Sequence, residues 1–272
     1  MPSDRADSET ERAIEPLTGR WVLAIETSNP SAASADPGAG TASPTTRTPG
    51  TASVAGARTD PDGKLGEIVE IEFPAANRER DGLLPAIDRV RTALNVVPGD
   101  LGSVCVSVGP GGYTGLRVSV TVAKSIARAT GAELVGVPSA TVAVGEDRPD
   151  QPFCVCLASK GDRTHVTAFP GPGDGDGEPI GVLDAEGLIG WYDGPGPGSG
   201  EILLVADRFL PEPIRAACLQ RHGRILAPRF SATRCLHAGY GRSGTDPVVL
   251  TPKYAREPEA VRLWRERRAK NA

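Results

Sequence analysis

Residues 102–136 combine a strand, a glycine turn and a helix in one order, and this unit constrains the fold more than any other part of the sequence. β-branched residues at 104–108 predict a strand, and the glycines and proline at 109–112 then stop it. Apolar residues recur at helical spacing until Gly131, which is placed to end a helix. A second strand is predicted at 133–137, so the unit is β-loop-α-β.

The glycine loop has two open interpretations. A glycine loop that leads into a helix N-terminus exposes backbone N–H groups and can hold a phosphate, with Thr114 as the candidate N-cap. However, GPGGYTG matches neither GxGxxG nor the P-loop pattern, and such loops also simply turn a chain tightly. Polar residues at the end of the first predicted strand could bind a phosphate too, or satisfy the turn backbone. The candidate nucleotide-site residues are Glu26, Thr27, Ser28, Gly109, Gly111, Gly112 and Thr114.

The predicted helix after the loop carries two kinds of surface. Val118, Val122 and Ile126 recur at helical spacing and predict the helix itself, with Ala123 and Ala127 beside them. Two sets of small residues permit close approach of a second helix: Ser119, Ala123 and Ala127, which we call the small stripe, and Ser125 and Ala129. The small stripe is therefore a candidate packing or dimerisation surface.

Composition excludes some classes of function. The net charge of −4 over 272 residues argues against a dedicated nucleic-acid binder. The chain has no apolar run of membrane-spanning length, and its N-terminus is polar, so we expect a cytoplasmic protein that does not bind membranes. Its five cysteines are odd in number and scattered, which predicts buried apolar side chains. The three histidines lie far apart, so no metal site is predicted.

The order of predicted elements indicates two lobes. A strand-turn-strand pattern at 153–169 repeats the beginning of the first half, which suggests a duplicated architecture. Segments rich in small polar residues interrupt both halves, at about 32–62 and at 170–178. An amphipathic helix is predicted at 81–94. The predicted boundaries are a disordered tail at 1–20, a first lobe at 21–148, a second lobe at 149–258 and a basic tail at 259–272.

Several segments together resemble the TsaB (YeaZ) family. They are VLAIETSNP near the N-terminus, VSVGPGGYTGLRVSVTVAKSIA followed by GVPSATVAV in the middle, and DPVVLTPKYAREPEA near the C-terminus. GPGGYTGLR is the specific part, because it is close to GPGSFTGLR of the family. The resemblance covers residues 21–145 well and residues 150–260 loosely.

The resemblance implies an α/β fold of the actin/Hsp70/sugar-kinase (ASKHA) type, with two lobes of mixed sheet flanked by helices. It also implies a noncatalytic subunit that pairs with a TsaD-like threonylcarbamoyltransferase in making tRNA N6-threonylcarbamoyladenosine at position 37. A TsaE-like ATPase joins that assembly, and tRNA is contacted through the complex. In the family, the helix after the glycine loop and the helix before it form the pairing surface, which a homodimer could cover when the partner is absent. The interface residues carried over are Leu84, Ile87, Arg91, Leu116, Ser119, Val120, Ala123 and Ala127.

The sequence departs from the family in the segments that would bind a nucleotide. Glu26-Thr27-Ser28 replaces Asp-Thr-Ser, and Ser159-Lys160-Gly161 replaces Asp-Ala-Arg, which removes a carboxylate. The insertion after Ser31 also falls inside the first phosphate hairpin. These departures argue against ATP hydrolysis, so we expect no cofactor of the chain's own, with ATP or ADP conceivable only at a composite site in the complex.

Two alternatives stay open. An active ASKHA-type nucleotide-dependent transferase or glycoprotease-like hydrolase would need a metal, and catalytic relatives carry His-x-x-x-His on the first long helix. The corresponding residues 77–85 contain no histidine. A direct tRNA binder would use the basic tail, against which a solvated, partly helical tail is the favoured interpretation. The tail residues concerned are Arg262, Trp264, Arg265, Arg267, Arg268 and Lys270.

Overall fold

The computed structural model describes residues 19–29, 50–75, 82–173, 175–197, 201–256 and 259–270. Most of the predicted tail at 1–20 and the first part of the predicted insertion therefore lie outside the described residues. Within the described ranges, no helix is both long enough and apolar enough to cross a membrane.

The first lobe is built on a mixed five-stranded sheet. Its strands are β1 (Trp21–Glu26), β2 (Thr51–Thr59), β3 (Leu65–Pro74), β4 (Leu101–Gly109) and β5 (Glu133–Pro138). They lie in the order β3-β2-β1-β4-β5, with β4 and β5 parallel to β1 and β2 antiparallel to both of its neighbours. Strands β1 and β4 are buried along their whole length, as their continuous apolar sequences predict for strands covered on both faces.

The second lobe repeats this arrangement. Its strands are β6 (Phe153–Lys160), β7 (Arg163–Phe169), β8 (Glu178–Leu183), β9 (Leu203–Ala206) and β10 (Arg224–Leu226). The strand order is β8-β7-β6-β9-β10, which corresponds strand for strand to β3-β2-β1-β4-β5 of the first lobe. The parallel and antiparallel pairings are also the same as in the first lobe. The predicted two-lobed, mixed α/β fold is confirmed.

Seven helices complete the layers in the described part of the chain. They are α1 (Leu83–Ala93), α2 (Tyr113–Thr130), α3 (Ser139–Val144), α4 (Ala185–Asp193), α5 (Glu212–Gln220), α6 (Ala232–Gly239) and α7 (Glu259–Lys270). Helices α1 and α2 cover one face of the first sheet. Helices α3 and α6 lie between the two sheets, and α4 and α5 cover the outer face of the second sheet.

Strand β2 corrects the predicted extent of the first insertion. The low-complexity segment was predicted to reach about residue 62, with a short strand at 51–57 as one interpretation; in the structure, 51–59 form a buried strand between β1 and β3. The residues are small because α1 packs directly above them: a Cβ on Gly56 would overlap Val90 and crowd Leu94. A strand of small residues resembles a polar linker in composition, although its burial is that of a core strand.

The five cysteines are free and buried, as predicted. Burial raises the pKa of the Cys105 and Cys154 thiols to about 12, and that of Cys218 to about 11. Because the thiolate is the reactive form, these side chains are inert at neutral pH and pack as small apolar groups.

Candidate functional site

The loops that follow β1 and β4 meet at the carboxyl edge of the first sheet. Gly112 N–H donates to the carbonyl oxygen of Ser28 over 2.6 Å, and the Thr27 hydroxyl donates to the Gly115 carbonyl over 2.9 Å. The Asn29 amide also reaches the Pro110 carbonyl. Adjacent parallel strands place their following loops side by side, which explains this meeting. The predicted nucleotide-site residues from 26–28 and 109–112 are thus brought together.

The glycines of this loop are needed for close packing. A Cβ on Gly111 would overlap the Ser28 carbonyl oxygen, and a Cβ on Gly109 would overlap the carbonyl oxygen of Lys253. Gly109 also has a φ of +105°, a conformation that favours glycine. The loop therefore lies between the end of β1 on one side and the C-terminal segment on the other. Lys253 confirms this placement, because its N–H donates to the Val108 carbonyl over 2.6 Å.

Glu26 is buried and bonds within its own turn. Its Oε1 accepts hydrogen bonds from both the backbone N–H and the hydroxyl of Ser28, each over 2.6 Å. These bonds satisfy the turn backbone, which is one of the two interpretations open from the sequence. The Gly112 N–H is engaged by the Ser28 carbonyl, so this loop N–H does not point to a ligand.

Thr114 has a different position from the one predicted. The N-cap of α2 is Gly112, and no side chain caps the helix; Thr114 is an exposed residue of the first turn. The prediction of Thr114 as N-cap is therefore wrong, because the helix begins directly after the glycines. Among the residues that the structure describes, no three His, Cys, Asp or Glu side chains come together as a metal site requires.

The orientation of α2 corrects part of the predicted interface. On α2, Val118, Ser125 and Ala129 are exposed, and Val122 and Ile126 are half-buried. The small stripe, Ser119, Ala123 and Ala127, is buried against the protein's own sheet. Side chains in the core cannot contact a partner, so these residues are removed from the candidate interface. The buried interface candidates are Leu116, Ser119, Val120, Ala123 and Ala127.

The outward surface of the two helices is apolar. Leu84 on α1 is 54% exposed and Val118 on α2 is 42% exposed, while Ile87, Val122 and Ile126 are half-buried. Strands β3 and β4 both run parallel to β1, so α1 and α2 return across the sheet in the same direction. We call this surface the α1/α2 face; it comprises Leu84, Ile87, Arg91, Val118, Val122 and Ile126.

Arg91 is held at the end of this face. Its guanidinium donates to the Asp88 carboxylate over 3.0 Å and to the Val96 carbonyl over 3.3 Å. Three of the predicted interface residues, Leu84, Ile87 and Arg91, thus lie on the face. The sequence did not indicate that Val118, Val122 and Ile126 lie on this face, although the parallel apolar stripe on α1 was a signal that could have found them.

Comparisons with known proteins agree on the fold. A family model described as TsaD, tRNA N6-adenosine threonylcarbamoyltransferase, matches residues 74–175. The structure is similar to an uncharacterized Pseudomonas aeruginosa protein with similarity to the peptidase YeaZ, with a TM-score of 0.59, 16% identity, and coverage of 87% of this chain and 100% of that one. YeaZ from Pseudomonas aeruginosa gives a TM-score of 0.57 and 16% identity, with 86% and 100% covered. The chain is YeaZ-like in its fold.

These findings confirm the resemblance to the TsaB (YeaZ) family that the motifs indicated. No sequence among the curated proteins matches the chain. The segment that matches the TsaD model runs from the end of β3 to just beyond β7, and it contains both helices of the α1/α2 face.

The second lobe of the YeaZ-like fold carries a buried carboxylate that sequence analysis missed. Asp207 follows β9, which corresponds to β4 in the duplicated topology, so Asp207 lies where the first lobe has its glycine loop. Its Oδ1 accepts a hydrogen bond from the Phe209 N–H over 2.9 Å. Burial raises the pKa of the Asp207 carboxyl above its ordinary value. Near the end of β6, the Ser159 hydroxyl donates to the Thr164 hydroxyl of β7 over 2.9 Å.

We expect Asp207→Asn to change how stability depends on pH. A carboxyl whose pKa is raised on folding stabilises the fold at low pH, and this contribution is lost as pH rises through the raised pKa. Asparagine keeps an acceptor for the Phe209 N–H but carries no charge. The melting temperature of the variant should therefore rise relative to wild type between about pH 4 and pH 7. Thermal melts across this range would measure it, and a difference that stays constant with pH would contradict the assignment.

Proposed function

We propose that this chain is a noncatalytic subunit of a tRNA N6-threonylcarbamoyladenosine synthesis complex, and that it binds a TsaD-like catalytic subunit through the α1/α2 face and raises its activity. The observation that carries the proposal is the exposed apolar surface on two neighbouring helices of a YeaZ-like fold. Bulky apolar side chains grouped on a surface mark sites where another molecule binds.

The geometry of the face suits a partner with a related fold. The two helices run in the same direction over one sheet, and both carry branched apolar side chains that are exposed or half-buried. Two similar helices of a partner could pack onto them as a four-helix bundle. Between these ridges α2 presents Thr121, Ser125 and Ala129, which are exposed and small enough for close approach. The same face would be covered by a homodimer when the partner is absent.

The nucleotide side of the chain supports a noncatalytic role. The Glu26 Oε1 accepts bonds from Ser28 within its own turn, and the Gly112 N–H, which an active site would present to a ligand, donates to the Ser28 carbonyl of the neighbouring loop. In the second lobe, the carbonyl oxygens of Lys160 and Arg163 accept hydrogen bonds from Arg256. The sequence also lacks the histidine pair that the catalytic relatives carry.

The proposal extends to the rest of the assembly. A TsaE-like ATPase would be a further partner, and tRNA would be reached through the complex, in the cytoplasm. ATP or ADP would bind, if at all, at a composite site formed with the catalytic subunit.

Mixing the purified chain with a TsaD-like protein and separating the mixture by sizing chromatography tests the proposal. We expect one peak that contains both proteins in equal amounts. Assays of tRNA modification should then show more product with the mixture than with the TsaD-like protein and its ATPase alone. Two separate peaks would contradict the pairing, and modification by this chain without the TsaD-like protein would contradict the noncatalytic role.

A further inference from the structure

Helix α7 concentrates positive charge in an acidic protein. Residues 259–270 include five Lys or Arg and two Glu, whereas the whole chain has a net charge of −4. The side chains of Arg265, Arg267 and Arg268 are exposed. Such a local basic surface on an acidic protein attracts a polyanion by charge complementarity.

An exposed aromatic side chain lies within this basic surface. Trp264 is 55% exposed, and the guanidinium of Arg268 lies over its ring, 4.8 Å from the ring centroid. In the helical register, positions 264, 267 and 268 share one side, and the two acidic positions, 259 and 266, fall on the other. One side of α7 thus combines an aromatic surface with arginines and separates them from the acidic positions.

The beginning of α7 is tied to the second lobe. Arg256, three residues before the helix, donates hydrogen bonds to the carbonyl oxygens of Lys160 over 3.0 Å and Arg163 over 2.9 Å. Three residues span at most about 10 Å, so the first turn of α7 lies near this hairpin turn. The exposed Lys160 therefore adds to the positive charge at the base of the helix.

We infer that α7 is a site for single-stranded RNA, in which Trp264 stacks on a base and Arg265, Arg267 and Arg268 contact phosphates. Stacking platforms flanked by cations bind single strands without reading their sequence, because every base has an aromatic face. A membrane-surface helix would need a broad apolar face, and the sides of α7 that carry Trp264 also carry arginines. The inference goes beyond the proposed function and does not depend on the pairing with a catalytic subunit.

Fluorescence anisotropy with the full chain and a labelled oligouridine of about twelve nucleotides tests this site. Replacing Arg265, Arg267 and Arg268 together by alanine should weaken binding at least about ten-fold and reduce the steepness of its salt dependence by about two in the log-log slope. Trp264→Ala should weaken binding about five-fold or more and leave that slope unchanged.

A matched control removes three arginines from elsewhere on the second lobe and its connections. Changing Arg208, Arg215 and Arg229 to alanine alters the net charge equally, and this variant should keep wild-type binding. Three outcomes would each overturn the inference. The control could lose as much RNA binding as the α7 variant, the α7 variant could bind RNA like wild type, or the wild-type protein could fail to bind RNA. Binding to vesicles that contain phosphatidylserine without binding to RNA would also overturn it. The α7 variants should still co-elute with a TsaD-like protein, which separates this test from that of the pairing.

Discussion

Ala123→Glu is expected to destabilise the protein itself rather than only a complex. Ala123 is completely buried in the core between α2 and the first sheet, where it lies with Val120 and Ala127. A carboxylate at this position would have no partner and would lose its hydration, so we expect the free energy of unfolding to fall by about 3–5 kcal/mol. Urea unfolding followed by circular dichroism would measure the change.

Ser125→Glu provides the matched control for this change. Ser125 is exposed on the same helix, and its hydroxyl donates to the Thr121 carbonyl over 2.9 Å. The same side chain introduced there should change the free energy of unfolding by less than about 0.5 kcal/mol. If Ala123→Glu unfolded at the wild-type urea concentration, Ala123 could not lie in the core, and the small stripe would again be the candidate partner surface.

Sequence could predict α2 as a helix but could not predict its orientation. Periodicity shows that a helix has distinct stripes, and α2 has two, one bulky and one small. The small stripe was predicted to be a packing or dimerisation surface because small side chains let a second helix approach closely. In the structure, Leu116 and Val120 supply the bulk of the buried side, and the small residues Ala123 and Ala127 pack against the sheet in the following turns of the helix. Only the packing of the sheet decides between the two stripes.

The fold was more predictable because its signals are local. The unit at 102–136 and the strand-turn-strand at 153–169 each lie within about 35 residues of sequence, and continuous apolar runs marked β1 and β4. Contacts between distant parts of the chain had no such signal. Asp176 lies in the segment predicted as a loop insertion, yet its carboxylate pairs with Arg242 over 2.7 Å and accepts from the Thr141 hydroxyl over 2.9 Å.

The packing of the C-terminal segment could not be predicted from the sequence either, because it also depends on contacts between distant parts of the chain. Leu250 packs in the core below α2, its carbonyl accepts from Lys124 over 3.1 Å, and Tyr254 lies 4.9 Å from Tyr113 between ring centroids. The resemblance marked DPVVLTPKYAREPEA without giving it a structural role. Its role is to close the side of the first sheet next to the glycine loop, and this depends on contacts more than 100 residues apart.

The double substitution Leu84→Asp and Val118→Asp is expected to abolish pairing with a TsaD-like protein. Both side chains are largely exposed in the free chain, so their replacement should change the stability of the fold little. In a packed bundle, however, two carboxylates would be buried without partners, which should weaken pairing by at least about 100-fold. Isothermal titration calorimetry would give the dissociation constants.

Leu219→Asp is the control for this substitution. Leu219 is 55% exposed, as Leu84 is, but it lies on α5, on the outer side of the second lobe. We expect this variant to bind like wild type, because α5 and the α1/α2 face lie at opposite ends of the layered structure. If the double variant bound as tightly as wild type while Leu219→Asp did not, the partner surface would lie on the second lobe, and the apolar side chains of α1 and α2 would need another explanation. Because the double variant leaves the core intact, a loss of binding in a normally folded protein would place the partner on α1 and α2.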